Sequence, residues 1–223
     1  GVKPFCSGAG LLRRALVVAT APDGPRLFDL DVGDVDVVAG TWPAVGMAGS
    51  QSSAVRWAGR LAPAELAVGE PGAYTSRVGF WWGAAGVAAC WWGGARALVE
   101  TTRTGMAFGV GESQLAALGR AGARLAAMEQ VLRQAAASID DATDVDRTGP
   151  DAAGAARRTA LIAREVVHDG CQAVLREVAA AGGAGPICLD PAQSRRSADL
   201  YAYLAQYHPG RDQAELGRML VAE

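Results

Sequence analysis

The stretch GEPGAYTS, residues 69–76, divides the sequence into two parts of different periodicity. Before it, short apolar runs are separated by Gly-, Pro- and Ser-rich turns, which is typical of β-strands. After it, apolar residues recur at three- and four-residue spacing, which is typical of amphipathic helices. Strands first and helices afterwards predict a segregated α+β chain. We expect residues 1–72 to form a small antiparallel β domain and residues 73–223 an up-down, four-helix-bundle-like domain.

Five strands are predicted before this boundary. The first two flank the turn PDGP and form a strand–turn–strand pattern. In the second of them, Phe28, Leu30 and Val32 alternate with polar neighbours, so this strand is expected to bury one face. The predicted strands cover residues 15–20, 26–32, 35–38, 53–58 and 65–68.

Four long helices and a short last one are predicted after the boundary. The first is rich in Trp and ends near residue 102, and the third covers residues 150–181 and stops at Gly182-Gly183. In the fourth, Asp190 is the expected N-cap and Gln193 is expected to reach back to it; Asp212 and Glu215 suggest a similar cap for the last helix. The second helix is predicted to bury a stripe made of Leu115, Leu118, Leu125, Leu132 and Ile139.

Composition excludes several classes of function. The formal net charge is −2 and the isoelectric point is about 5.8, whereas nucleic-acid-binding domains are usually basic. The four cysteines are far apart and the chain has two histidines, so no zinc-ligand spacing is present and no metal site is expected. Free cysteines and no recognisable signal peptide favour a cytoplasmic protein. The uncharged residues 78–95 are long enough to span a membrane, but their Gly and Ala content favours a helix buried in a core.

Four segments, in order along the chain, resemble the acyl-CoA dehydrogenase family. KPFCSGAG, residues 3–10, resembles the family's K-x-W-[I/C]-[T/S]-[N/G]-A segment. Residues 45–59 are similar to its later Ser-rich turn and strand, and residues 179–185 to the Gly-Gly end of its third bundle helix. Residues 195–217 resemble a divergent branch that has Q-x-H-x-x-R-D in place of a Glu-Gly turn.

The resemblance implies an FAD-dependent enzyme that oxidises an acyl thioester, bound to CoA or to another carrier, at its α,β bond. Phe5 would cover one face of the flavin and the Ser7 hydroxyl would bond near flavin N5. Gly182 and Gly183 would lie in the turn close to the cofactor. The resemblance also implies an oligomer, either of one chain or of two, and an electron-transfer flavoprotein or a similar acceptor. Family members have a helical domain before the β domain, so two possibilities stay open: the sequence is part of a longer gene product, or the protein is naturally short.

The sequence departs from the family at three positions. The usual Glu base is missing, and His208 is the titratable group nearest by motif; its ordinary pKa near neutrality would suit a base, although capping of a helix end is the commoner role. The cofactor-binding Arg of R-x-x-F-G is replaced by Gly105, so Arg103 could substitute only if the loop shifts. The Gln that precedes the Gly-Gly turn is Ala179.

Two alternatives follow from these departures. The chain could be a catalytically silent subunit that completes a partner's flavin site, or a flavoenzyme of the same fold that uses oxygen or another substrate.

A further possibility concerns the tryptophans, because Trp81 and Trp92 would share one helix face and could line a ligand groove. Aromatic filling of the core is the commoner use of such residues.

Overall fold

In the computed structural model of the chain, the structure describes residues 1–33, 35–57, 62–106, 109–143 and 150–222. Contacts divide the chain into two compact units, Gly1–Phe80 and Trp81–Glu223. We call them the β unit and the helical unit. The fold is α+β: a small antiparallel β domain is followed by an up-down helical bundle, as predicted.

The β unit contains two three-stranded sheets in which the paired strands are antiparallel. Strands β2 (Arg14–Ala21) and β3 (Gly24–Asp31) form a hairpin whose two-residue turn ends at Gly24, which has a positive φ of 123°. The first sheet has the order β1-β5-β4, with β1 Val2–Lys3, β4 Asp36–Val38 and β5 Ala54–Arg56. The second has the order β2-β3-β6, with β2 Arg14–Ala21, β3 Gly24–Asp31 and β6 Ala67–Val68.

The helical unit is built around two long neighbouring helices, α3 (Glu112–Thr143) and α4 (Pro150–Gly182), which pack along each other. Their core side is lined by small and apolar side chains, and Trp91, Leu98, Met128, Val167, Cys171 and Val174 are among the buried residues of the central cluster. The helices of the chain are α1 Ala73–Ser76, α2 Val78–Gly105, α3 Glu112–Thr143, α4 Pro150–Gly182, α5 Ala184–Leu189, α6 Pro191–Leu204 and α7 Pro209–Val221.

Several local predictions are wrong, and tertiary packing explains them. Residues 65–68 are only half strand, because Ala64–Leu66 is a 3₁₀ turn before β6. The short helix α5 follows the Gly-Gly break without having been predicted. On α3 the fully buried line consists of Ala117, Ala121 and Met128, and the predicted leucine stripe lies beside it. A close helix–helix approach favours the small side chains of Ala117 and Ala121 over leucine.

Two capping predictions fail for a similar reason. The Asp190 side chain does accept hydrogen bonds from the Ala192 and Gln193 amides, as an N-cap should. Gln193, however, does not reach back to it: its side chain is fully buried and donates to the Leu98 carbonyl and the Thr102 hydroxyl of α2. Asp212 is likewise buried inside the first turns of α7 and does not cap the helix.

Among the described residues, no helix is both long enough and apolar enough to cross a membrane. The apolar residues 78–95 belong to α2, which buries Ala85, Ala88, Trp91 and Ala95 on one side. The predicted choice of a core helix over a membrane span agrees with this burial.

Candidate functional site

Phe5 and Ser7 lie on an exposed loop of the β unit, between β1 and β2. Phe5 has a φ of 57°, in the left-handed region that a bulky side chain rarely adopts, and 75% of its surface is exposed. Its ring meets the Trp42 ring edge to face, with the centroids 6.3 Å apart. The fold therefore holds a large aromatic ring on the surface in a conformation that costs on the order of 1 kcal/mol. Strain of this kind is concentrated at functional sites.

The Ser7 hydroxyl is connected to the interior of the β unit by other hydroxyl groups. Ser7 Oγ lies 2.8 Å from Ser52 Oγ, and Ser52 Oγ lies 2.8 Å from Ser50 Oγ. Ser50 Oγ donates to the Met47 carbonyl oxygen at 2.7 Å. We call Ser7, Ser52 and Ser50 the hydroxyl relay. The amide of Gly8 also donates to the Ser50 carbonyl at 2.9 Å, so backbone and side chains together join the two loops.

A cavity of about 240 Å³ opens beside these residues, and Phe5, Ser7, Leu12, Val55 and Trp57 are part of its wall. Most of this wall is apolar, while the Ser7 hydroxyl supplies a polar atom. An aromatic face, a hydroxyl group and an apolar recess suit a flat heteroaromatic ring. The β unit thus brings Phe5 and Ser7, which the sequence analysis predicted to bind a cofactor, to the wall of one cavity.

In the helical unit, His208 occupies the turn between α6 and α7. It is the N-terminal flanking residue of α7, its side chain is exposed, and it makes no side-chain capping hydrogen bond. Its backbone carbonyl accepts from the Asp212 amide at 3.2 Å. The imidazole is therefore not used to cap the helix, which was the alternative structural role for this residue.

Helix α4 holds this turn from both sides. On one side the Tyr207 hydroxyl donates to Glu165 Oε2 at 2.7 Å; on the other, Gln213 Nε2 donates to Glu165 Oε1 at 2.8 Å. The Arg164 guanidinium lies 3.8 Å from the Asp212 carboxylate, which also binds Arg211 at 2.8 Å. The Glu165 carboxylate on α4 and the Asp212 carboxylate on α7 thus fix the chain on either side of His208, the predicted base.

Burial dominates the electrostatics beneath this turn. Arg164 lies over the ring of Trp91 at 4.9 Å and over that of Tyr207 at 5.1 Å, and its burial lowers the pKa of the guanidinium. Burial likewise lowers the pKa of His168, whose ring lies 4.6 Å from the Tyr207 ring. Burial and the bond to Glu165 raise the pKa of Tyr207, so its hydroxyl stays protonated as a donor. His168 is half-buried at the edge of the bundle, where its Nε2 lies 3.2 Å from Gln172 Nε2.

The remaining predicted cofactor contacts lie near the ends of α2 and α4. The Arg103 guanidinium is exposed and forms a two-pronged ion pair with Glu100, at 2.5 and 3.0 Å. Gly182 lines a cleft of about 610 Å³ that Gly105 also lines. A Cβ on Gly182 would lie 3.0 Å from Pro186, and Gly183 has a φ of 66°, so both glycines are needed for the break between α4 and α5. Phe108 of the motif after Gly105 lies outside the described residues.

The aromatic groove predicted from the tryptophans takes a different form. Trp81 lines a cavity of about 270 Å³ together with Trp82, on the side of α2 that faces α3 and α4. Trp92 instead donates from Nε1 to the Leu125 carbonyl at 3.1 Å. The eleven-residue spacing correctly describes a helix face, but the neighbouring helices place the two rings in different environments.

Sequence reasoning did not identify Ser50, Ser52 or the Glu165–Tyr207 contact as parts of these sites. A weak signal existed for the serines, since the segment GSQSS at residues 49–53 is rich in hydroxyls. Ser7 and Ser52 are 45 residues apart, however, and their contact depends on the pairing of loops that no local pattern specifies. Glu165 and Tyr207 are similarly 42 residues apart.

Comparison with solved structures identifies the fold. Dibenzothiophene monooxygenase TdsC from Paenibacillus sp. A11-2 matches with a TM-score of 0.83 and 21% identity, over 100% of this chain and 64% of TdsC. KijD3, solved with FMN and a dTDP-linked sugar, matches with a TM-score of 0.86 and 16% identity, over 100% and 58%. A Mycobacterium smegmatis protein, described as a candidate acyl-CoA dehydrogenase, matches with a TM-score of 0.78 and 14% identity, over 99% and 59%.

No protein-family model and no curated protein matches the sequence. The chain spans about three fifths of the length of each of these three structures. At these identities the similarity establishes architecture, and function has to be argued from the residues. The chain has the acyl-CoA dehydrogenase-like fold.

Proposed function

We propose that this chain is the β domain and C-terminal bundle of a flavin-dependent oxidoreductase. The observation that carries the proposal is the loop at Phe5 and Ser7, where a strained, exposed aromatic ring stands beside a hydroxyl and an apolar recess. In this proposal the Phe5 ring packs against a flavin ring and Ser7 bonds near its N5. TdsC and KijD3 support it, because both have been solved with FMN.

The residues present fit such a cofactor in the β unit. In the chain alone the Phe5 side chain is exposed and buries little apolar surface, whereas a planar ligand would bury it. A bound flavin would supply two-electron redox chemistry, and the protein would supply position and proton transfer. FAD is the form implied by the family resemblance; FMN is the form present in the two structural neighbours. Arg103 is a weak candidate for a phosphate contact, since Glu100 already neutralises its guanidinium.

The first candidate reaction is α,β-dehydrogenation of an acyl thioester. A base has to take the α-proton, and we propose His208 for this role because its imidazole is exposed, uncommitted to capping and set in a firmly held turn. In this reaction the enzyme would work as an oligomer and pass electrons to an electron-transfer flavoprotein or a similar acceptor. Gly182 and Gly183 would shape the turn near the cofactor.

The second candidate is an oxygen-using reaction of the same flavin fold. It is favoured because α2 offers no uncommitted carboxylate as a base. Glu100 is the single acidic residue of this helix, and it is paired with Arg103 near the helix end. A histidine in place of a carboxylate suits proton transfer to or from a hydroxyl or ring nitrogen at neutral pH. TdsC, a monooxygenase, shows that the fold supports such chemistry.

An absorbance experiment on the purified full-length gene product separates these possibilities. Flavin absorbance that bleaches when an acyl-CoA is added without oxygen supports dehydrogenation. The second reaction is supported if the absorbance of bound flavin does not change with a panel of acyl-CoAs, but the flavin consumes oxygen once it has been reduced. A colourless protein that takes up neither FAD nor FMN contradicts both and favours a catalytically silent subunit.

The role of His208 is tested in the same assay. His208→Gln is expected to slow acyl-CoA-dependent bleaching by about 100-fold or more, the usual contribution of a general base. His168→Gln is the matched control, because His168 is half-buried against the Tyr207 ring and has no role in the proposed reaction; this substitution is expected to leave the rate within about threefold of wild type. Equal rates for wild type and His208→Gln would remove His208 from the mechanism.

A further inference from the structure

The hydroxyl relay has a defined direction. A serine hydroxyl has one proton to donate and two lone pairs to accept with, whereas a carbonyl oxygen only accepts. Ser50 Oγ therefore uses its proton in the 2.7 Å bond to the Met47 carbonyl. The 2.8 Å bond between Ser50 and Ser52 must then use the Ser52 proton, and the 2.8 Å bond between Ser52 and Ser7 must use the Ser7 proton.

We infer that Ser50 and Ser52 are positioning residues that make the Ser7 hydroxyl an acceptor toward its ligand. The ligand atom opposite Ser7 then has to carry a proton. This inference rests on the proposed function: for a flavin at this loop, the atom is N5, which carries a proton only in the reduced cofactor. The relay therefore selects reduced flavin over oxidised flavin.

The surroundings of the relay keep this direction in place. Ser52 is only 5% exposed, so its proton has little access to competing solvent. Ser50 ends the 3₁₀ turn Ala48–Ser50, which is flanked by Met47 and Gln51 in left-handed conformations. The Ser50 amide also donates to the Met47 carbonyl, at 3.0 Å. The group at the end of the relay is thus a carbonyl oxygen held by backbone geometry.

The consequence for binding follows from the two states of N5. Oxidised N5 offers a lone pair, which faces a lone pair of Ser7 and gains no hydrogen bond. Reduced N5 offers a proton, which Ser7 can accept. A neutral hydrogen bond of this kind contributes a factor of about 3 to 10 in affinity. The wild-type protein should bind reduced FMN more tightly than oxidised FMN by at least this factor.

The test measures the affinity of the full-length gene product for FMN in both redox states. Oxidised FMN is titrated in air-free buffer, and dithionite-reduced FMN is titrated in the same buffer. In Ser50→Ala the Ser52 proton can turn to Ser7, and the Ser7 proton becomes free to face the ligand. The ratio of reduced to oxidised affinity is expected to fall by about 3- to 10-fold. For two electrons, this lowers the midpoint potential of bound FMN by about 15 to 30 mV.

Two further variants keep the test interpretable. Ser52→Ala removes the hydroxyl that accepts the Ser7 proton, so it should shift the ratio of reduced to oxidised affinity in the same direction. This variant covers the case where Ser50→Ala does not fold. Ser53→Ala is the matched control: Ser53 is a neighbouring serine that contributes its backbone carbonyl, not its hydroxyl, to the loop contact with Cys6. Its affinity ratio should equal that of wild type. A purely structural role for the relay would weaken both redox states equally and leave the ratio unchanged.

Two outcomes overturn the inference separately. If FMN binds but the ratio is the same in wild type, Ser50→Ala and Ser52→Ala, the relay does not set the polarity of Ser7, while the proposed function stands. If neither redox state binds, the proposed function fails and the inferred ligand preference fails with it. Neutron diffraction on the deuterated protein supplies a readout that needs no flavin. A deuteron on Ser7 Oγ directed at Ser52 supports the relay, and a deuteron on Ser52 directed at Ser7 overturns it.

Discussion

Gly170 provides a sharp test of how α3 and α4 pack. A Cβ added at Gly170 would lie 2.5 Å from Sδ and 2.8 Å from Cγ of Met128. Met128 is only 1% exposed, so its side chain cannot move out into solvent without leaving the core. In Gly170→Ala, the usual gain of about 1 kcal/mol from replacing helical Gly is opposed by an overpacking cost of about 1 to 3 kcal/mol. We expect a net loss of about 1 kcal/mol.

Gly154 is the matched control on the same helix. Nothing lies within 4 Å of a Cβ added there, so Gly154→Ala should stabilise the helical unit by about 1 kcal/mol. Identical substitutions on one helix should then differ by about 2 kcal/mol in the free energy of unfolding, or by about 4 to 8 °C in Tm. Urea and thermal unfolding followed by far-UV circular dichroism measure both quantities.

A double-mutant cycle identifies Met128 as the cause. In a Met128→Ala background the clash is gone, so Gly170→Ala should no longer destabilise the protein, which gives a coupling of about 1 to 3 kcal/mol between the two positions. The reasoning would be refuted if Gly170→Ala stabilised the wild-type protein as much as Gly154→Ala does, since the close contact would then carry no cost.

Three other predictions concern the sites. Asp212→Asn removes the charge that faces the mostly buried Arg164, and we expect it to lower the free energy of unfolding in urea by about 1 to 3 kcal/mol. Asp169→Asn, at an exposed position, is the control and should change this free energy by less than about 0.5 kcal/mol. Equal effects of the two substitutions would argue against a stabilising buried pair. Phe5→Asn should keep the unfolding free energy within about 1 kcal/mol of wild type, because Asn tolerates the left-handed backbone, while weakening flavin affinity about tenfold in a fluorescence titration; unchanged affinity would remove Phe5 from the site. Burial lowers the pKa of His168, so the folded chain binds its proton less readily than the unfolded chain does. This contribution to stability is complete above about pH 6.5 and is lost as the pH falls from there through the folded pKa. His168→Gln should lose less stability than wild type between about pH 7.5 and about pH 5.5 in urea unfolding; an equal loss would assign the pH dependence to other groups.

Local sequence patterns predicted the order of elements well, because each depends on residues that are close in the chain. The apolar residues Phe28 and Leu30 marked β3, although the adjacent Leu27 is buried as well and the strand does not bury one face alone, and Asp190 capped α6 as expected. Predictions were wrong where the position of a side chain depends on a tertiary contact. Gln193 satisfies the local rule for a capping box, but its side-chain amide is buried against α2 and donates to the Leu98 carbonyl and the Thr102 hydroxyl instead.

The candidate sites show the same division. The position of Phe5 and Ser7 could be predicted, since they belong to a short contiguous motif. The left-handed backbone at Phe5 and the connection of Ser7 to Ser52 could not, because both depend on how the loop ending at Gln51 meets the loop at Phe5. Arg103, by contrast, was predicted by its proximity to a motif alone, and the local i,i+3 spacing that pairs it with Glu100 on α2 was overlooked.

The most direct test of the central claim is a flavin titration of the full-length gene product in wild-type, Phe5→Asn and Ser7→Ala forms, using FMN and FAD. The account predicts saturable binding of at least one flavin by wild type. It also predicts affinity reduced about tenfold by Phe5→Asn, and about 3- to 10-fold for reduced flavin by Ser7→Ala. Wild-type protein that binds neither flavin, or binds one with an affinity that neither substitution changes, would contradict it.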